Sequence, residues 1–302
     1  MRKLRCQEKK MIINRRNLLK ILVAAGLGPS ILRDSWSSAE RNGTGLDWPS
    51  AWKKPEKKFN FSLGLASYTF RAFNLEQTIQ MTRRLGLEKI CLKDVYLPLT
   101  SSAAEITQAM AKIRAFGLNP YACGVVYLEK PSEVDQAFFY AQTAGLEMII
   151  ASPRPELLSL IEEKIKQTKI SLAIHNHGPG DRYYPTPADA YERIKNLNHK
   201  IGLCLDIGHA VRAGIDPAEA ARLYFDRLLD VHLKDVSSPS PEGETVEMGR
   251  GVINLREFLR TVTRLNYHGT LSFEFEKDEK DPLPGLAESV GYVRGLLSCL
   301  DL

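Results

Sequence analysis

The chain has 302 residues, 44% of them hydrophobic and 25% charged. That is the profile of an ordinary globular protein, not of a disordered, collagenous or many-span membrane chain. Five cysteines exclude a disulfide-dense mini-fold. The formal charge of +5 is uneven: residues 1–39 hold nine Lys/Arg and two Asp/Glu, and the rest of the chain carries a net −2. Once the front segment is removed, no broad basic field is left to hold nucleic acid or an anionic membrane.

Residues 14–20 read Asn-Arg-Arg-Asn-Leu-Leu-Lys and lead into an apolar run from Ile21 to Leu32. Ser37-Ser38-Ala39 then supplies small residues for a cut. A charged start, a short apolar stretch and a small-residue site make a signal peptide, here 1–39. The pair Arg15-Arg16 resembles a twin-arginine export signal. The resemblance implies a periplasmic or extracellular protein. Twelve helical residues reach only about 18 Å, too short to span a bilayer, so no stable membrane insertion is expected after cleavage. A polar linker, 40–58, follows.

From residue 59 the pattern alternates. Strand-like runs are Phe61–Phe70, Lys89–Tyr96, Asn119–Tyr127, Glu147–Ala151, Ile170–His177, Ile201–His209, Leu228–Val236 and Gly269–Phe275. Helix-like runs are Leu75–Leu85, Ala103–Phe116, Ser132–Ala144 with Ser132 as N-cap, Pro155–Thr168, Pro187–Asn196, Pro217–Asp226 capped by Asp216, Leu255–Leu265 and Leu286–Leu300. Eight strand–helix pairs in one domain predict an α/β fold of the (β/α)8 TIM-barrel type over 59–302. No glycine-rich dinucleotide or phosphate loop supports an open doubly wound sheet. The segment 236–252 interrupts the rhythm and reads as a flap over the barrel mouth. Cys91, Cys123, Cys204 and Cys299 fit as buried small apolar residues.

Active sites of such barrels lie at the C-terminal ends of the strands. Four of the six histidines fall there: His175, His177, His209 and His232. The quartet His175, Asp206, His232 and Glu274 is spaced by 31, 26 and 42 residues, about one strand–helix unit each time. Two imidazoles and two carboxylates meeting near the axis suit one divalent metal, Mn²⁺ first, with Co²⁺, Fe²⁺ or Zn²⁺ as alternatives, over Mg²⁺ or Ca²⁺. Glu276 shares a strand face with Glu274, and Glu274 is taken as the ligand because it lies deeper. A salt-bridged cluster stiffening the mouth is the competing reading.

The runs LAIHNHGPGD, GLCLDIGHAVRAGIDP, DVHLKD, MGRGVI and GTLSFEFE resemble the sugar phosphate isomerase/epimerase group of xylose-isomerase-like TIM barrels. The resemblance covers nearly all of 60–300. It implies Asp206, His232 and Glu274 as metal ligands, and His209 and Arg212 as residues that hold substrate oxygens. It departs at His175, where the ketose epimerases carry a metal-binding, proton-transferring Glu. A metal-bound imidazole is a poor proton shuttle. Besides Glu274, the candidate catalytic groups are therefore His177, Lys93 and Lys234, the lysines through lowered pKa values. Each has a bland alternative: His177 capping its loop, Lys93 paired with Asp94 or Asp206, Lys234 with Asp235. Tyr96, Tyr127 and Phe70 are expected to line the mouth.

The resulting expectation is a metal-dependent isomerase or epimerase of carbohydrate metabolism acting on a keto-sugar through an enediolate or enolate. A lyase eliminating the aglycone of 3-keto-glycosides is the alternative, since export disfavours a phosphorylated substrate. A non-catalytic sugar-binding barrel is the minor one. The partner is a small keto-sugar or glycoside, not nucleic acid; a homo-oligomer is compatible with the sequence.

Overall fold

The computed structural model describes residues 59–300. The export signal at 1–39, the linker at 40–58 and residues 301 and 302 lie outside the described residues. Eight parallel strands form the barrel: β1 Ser62–Ala66, β2 Lys89–Leu92, β3 Asn119–Leu128, β4 Met148–Pro153, β5 Ser171–His175, β6 Ile201–Asp206, β7 Leu228–Leu233 and β8 Thr270–Phe273. Each pairs with its sequence neighbours, and β8 closes onto β1. This is the expected (β/α)8 barrel. No described helix is long and apolar enough to cross a membrane.

The helices are α1 Leu75–Arg84, α2 Ala103–Ala115, α3 Pro131–Ala144, α4 Leu158–Gln167, α5 Pro187–Ile194, α6 Ile207–Arg212, α7 Pro217–Leu223, α8 Leu255–Arg264 and α9 Leu283–Ser298. Their starts follow local chemistry. Asn74 with Gln77, Ser102 with Glu105 and Thr186 with Asp189 form reciprocal capping boxes. Asp216 caps α7 as expected. At α3 the expectation fails: Pro131 occupies the first helical position, Lys130 precedes it, and no side chain caps it. On α8, Leu255, Phe258, Leu259 and Val262 are buried at helical spacing and seat the helix against the sheet. Smaller side chains fill the barrel interior, among them Cys91, Ala122, Ala173 and Cys204 around Tyr121. Cys91, Cys123 and Cys204 are buried, but Cys299 is exposed, contrary to expectation, because it follows the last turn of α9.

Strands stop earlier than their apolar runs suggest. β6 ends at Asp206 because the Asp206 side chain accepts the His209 backbone N–H (2.7 Å) and turns the chain into α6. His209 therefore stands on a helical turn. The flap is partly ordered: Asp235–Val236 and Thr245–Val246 pair as a short antiparallel ladder. Its return arm is tied to Asp235. That carboxylate accepts N–H groups from Gly249 (2.8 Å), Gly251 (3.1 Å) and Ile253 (3.2 Å). Here the two glycines are required. Gly249 has φ of +90°, and a Cβ on Gly251 would stand 2.2 Å from Asp235 Oδ1.

Candidate active site

Four adjacent strands bring the quartet together. Asp206 and His232 are ladder partners on β6 and β7. His175 sits opposite Cys204, two residues before Asp206. Glu274 follows β8, two residues beyond Ser272, the ladder partner of His232. The donors thus come from three successive levels of the barrel, His175 lowest, Asp206 and His232 next, and Glu274 highest. One donor atom from each of the four residues lies within 4.8 Å of every other. His175 Nε2 is 3.2 Å from His232 Nδ1 and 3.6 Å from Asp206 Oδ2. His232 Nδ1 is 3.2 Å from Glu274 Oε2. All four side chains are buried.

The donor set fits a divalent cation. Two lone-pair imidazoles and two carboxylates are a transition-metal shell. Asp206 Oδ2 is buried without a well-formed hydrogen bond and faces the His175 Nε2 and the Lys234 ammonium. Cys204 also stands near the two histidines. Burial, then the neighbouring Asp230, push its thiol well up.

Lys234 also occupies this place. Its side chain is buried, and its Nζ lies 3.2 Å from Asp206, 3.0 Å from Glu274 and 2.8 Å from Glu276. Burial alone would lower its pKa, but the three carboxylates hold it well above the usual lysine range. The expectation of a lowered lysine pKa is therefore reversed here, and Lys234 is a fixed cation rather than a base. Its partners are those carboxylates, not Asp235. Burial works against ionisation of Asp206 and Glu274, yet the Lys234 charge keeps both carboxyls below their ordinary values. Gly208 makes room for the lysine: a Cβ there would stand 2.8 Å from Lys234 Cγ.

Above the quartet opens a cavity of about 290 Å³ lined by Tyr68, Lys93, Val125, Tyr127, His175, His177, His209, Glu274 and Glu276. His177 is held between Tyr127, whose ring stacks on it, and Asp181, 3.6 Å from its Nδ1. Burial, then the nearby His175, lowers its pKa to about 3, so the imidazole is neutral near pH 7. His209 is likewise lowered to about 3 by burial and by Lys234, 3.3 Å from its Nε2. Lys93 lines the cavity, pairs with Asp94 (3.1 Å) and donates to the Val125 carbonyl.

Arg212 does not line this cavity. Its guanidinium donates to the Pro241 carbonyl of the flap (2.6 Å) and approaches His209 Nδ1 (3.2 Å). Phe70 is fully buried in the core, and Tyr96 donates to the Ser67 carbonyl; neither lines the mouth. Sequence reasoning passed over Tyr68 and Val125. Tyr68 could have been found, because it follows β1 directly at the functional end of the barrel.

Residues 148–296 match the model of the xylose isomerase-like TIM barrel family. The match spans 149 of the 302 residues, just under half of the chain, and takes in β4 through β8. A curated relative, the rhizopine catabolism protein MocC of Rhizobium meliloti, is 24% identical over 154 residues, 45% of this chain. The match spans 46% of that relative, about half its length. Among solved structures, the IOLI protein with a bound zinc atom superposes with a TM-score of 0.66 at 15% identity, over 79% of this chain and 98% of that one. L-Ribulose 3-epimerase superposes with a TM-score of 0.64 at 18% identity, over 79% and 95%. At these identities the likeness to the two solved barrels is one of fold.

Proposed function

We propose that this xylose isomerase-like barrel is a divalent-metal-dependent enzyme that moves a proton beside the carbonyl of an unphosphorylated keto-sugar or sugar derivative. The observation that carries the reading is the convergence of His175, Asp206, His232 and Glu274 at the floor of a cavity of about 290 Å³. The zinc in the IOLI structure and the epimerase among the fold relatives support a metal and a sugar. A divalent ion held by this quartet, Mn²⁺ in the first instance, would supply Lewis acidity toward a carbonyl and its neighbouring oxygen.

The chain's own residues divide the remaining work. His177 faces the cavity as a neutral imidazole and accepts the proton, with Asp181 stabilising the charged ring that forms. Lys234 stays protonated and pairs with Glu276 at the cavity wall (2.8 Å). His209 offers a ring edge to substrate hydroxyls, and Tyr68 and Tyr127 flank the sugar face. Lys93 is placed to hold a hydroxyl or carbonyl oxygen. Arg212 keeps the flap and His209 in position.

One observation favours the lyase alternative. Tyr127 is 56% exposed at the rim, a platform for a second ring extending beyond the sugar. Incubation in heavy water decides between the two. Deuterium uptake into a ketose with the skeleton intact supports isomerisation or epimerisation. Release of aglycone from a 3-keto-glycoside supports elimination. No exchange and no cleavage on either class rejects the enzymatic reading.

We also propose that residues 1–39 direct export by the twin-arginine route. N-terminal sequencing of the secreted protein is expected to begin near residue 40. Cytoplasmic retention of a double variant carrying Arg15→Lys and Arg16→Lys supports this, and unchanged export of that variant contradicts it.

A further inference from the structure

Beneath the quartet lies a second buried carboxylate. Asp230 stands two residues before His232 on β7, so both side chains point into the barrel. Both are fully buried, at 0% and 1% exposure. Asp230 Oδ2 is 3.8 Å from His232 Nε2. Its carboxylate is held from two other strands, β3 and β6. Tyr121 of β3 donates its hydroxyl at 3.1 Å to Oδ1, and that hydroxyl is 2.7 Å from Ser272 of β8. Cys204 of β6 places its sulfur 3.6 Å from Oδ2.

Packing gives no reason for a carboxylate here. Tyr121 and Cys204, which touch it, belong to a buried apolar cluster with Cys91, Ala122, Ile150 and Ala173, beside which an apolar residue would cost less. His232 supplies a reason. Its Nδ1 is the nitrogen turned toward Glu274 and His175, the metal-facing side. Its Nε2 is buried without a hydrogen-bond partner, and Asp230 Oδ2 is the acceptor facing it. For Nδ1 to present a lone pair, the ring proton must sit on Nε2, where the N–H points toward the Asp230 carboxylate as its acceptor.

We propose that Asp230 is a positioning residue: it fixes the ring orientation and tautomer of His232 so that Nδ1 is the metal-binding nitrogen. The inference rests on the metal reading of the quartet. It goes beyond that reading by assigning an outer-shell partner and the ligating atom. Such partners are worth roughly 10–100-fold in metal affinity.

Chelator competition with Co²⁺ tests it on the purified chain. Asp230→Leu removes the acceptor and suits the apolar neighbours; its Co²⁺ affinity is expected to fall about 10–100-fold, with an altered visible spectrum. Asp230→Asn keeps an acceptor oxygen and is expected to recover part of that loss. A folded Asp230→Leu protein with wild-type Co²⁺ affinity and spectrum overturns the inference. A second measurement needs no variant. In the ¹¹³Cd-loaded, ¹⁵N-labelled wild type, cadmium coupling is expected at His232 Nδ1, with the proton on Nε2. Coupling through Nε2 overturns the inference even if Asp230→Leu does not fold. Failure of the wild type to bind Co²⁺ or Cd²⁺ instead rejects the metal reading itself.

Discussion

The Lys234 ammonium stands 3.2 Å from Asp206 and 3.0 Å from Glu274, beside the imidazoles that complete the donor set. Without a metal it is the charge that keeps two buried carboxylates ionised. Lys234→Met should therefore destabilise the metal-free protein by about 3–5 kcal/mol, the usual result of leaving buried charges unpaired. Denaturant titration in chelator should show that loss, and saturating divalent metal should restore most of it. Equal stability of variant and wild type in chelator would refute this role. His177 is a separate matter. His177→Asn should lower turnover by roughly 10²–10⁴-fold while leaving Co²⁺ affinity unchanged, as measured by kinetics beside chelator competition. At this scale the sequence was informative where chemistry clustered at strand ends: His175, Asp206, His232 and Glu274 were all legible there. Asp230 was not, because a carboxylate inside a strand reads as an outward polar position. Nor could the sequence tell that Lys234 points at Asp206 rather than at its neighbour Asp235, since facing depends on where β7 stops.

At the scale of elements, eight strand–helix pairs were legible because buried parallel strands and amphipathic helices carry different periods. Their ends were less so. The apolar run 201–209 looks like a single strand, yet the Asp206 carboxylate caps α6 and breaks it. The short ladder in the flap has strands of two residues, too short to leave a pattern. The flap's return arm depends on Gly251, where any side chain would strike Asp235. Gly251→Ala is expected to free this arm. Hydrogen exchange at Gly249 and Ile253 should speed up at least tenfold while exchange in β3 and β4 stays slow. Unchanged protection at Gly249 and Ile253 would show that the Asp235 contacts do not hold the loop.

For the whole molecule, the buried ionisable groups set an acid limit on stability. In the metal-free fold, His177 and His209 are lowered to about 3 from an ordinary 6.5. The unfolded chain therefore takes up their protons first. Their contribution is complete above about pH 6.5 and is lost as pH falls toward 3. His175, Asp206 and Glu274 are also lowered and act in the same sense. Asp230, raised by burial to about 7, acts oppositely, as does His232, which Glu274 raises against the effect of burial. The net expectation is a melting temperature that falls between pH 7 and pH 5 in chelator; a rise over that interval would contradict the balance of charges described. Metal analysis of the purified protein beside its His175→Ala and Asp206→Ala variants decides whether the four side chains hold an ion. About one divalent ion per wild-type chain is expected, with sharply reduced metal in both variants. A wild type without metal, or variants that keep a full equivalent, would contradict that expectation.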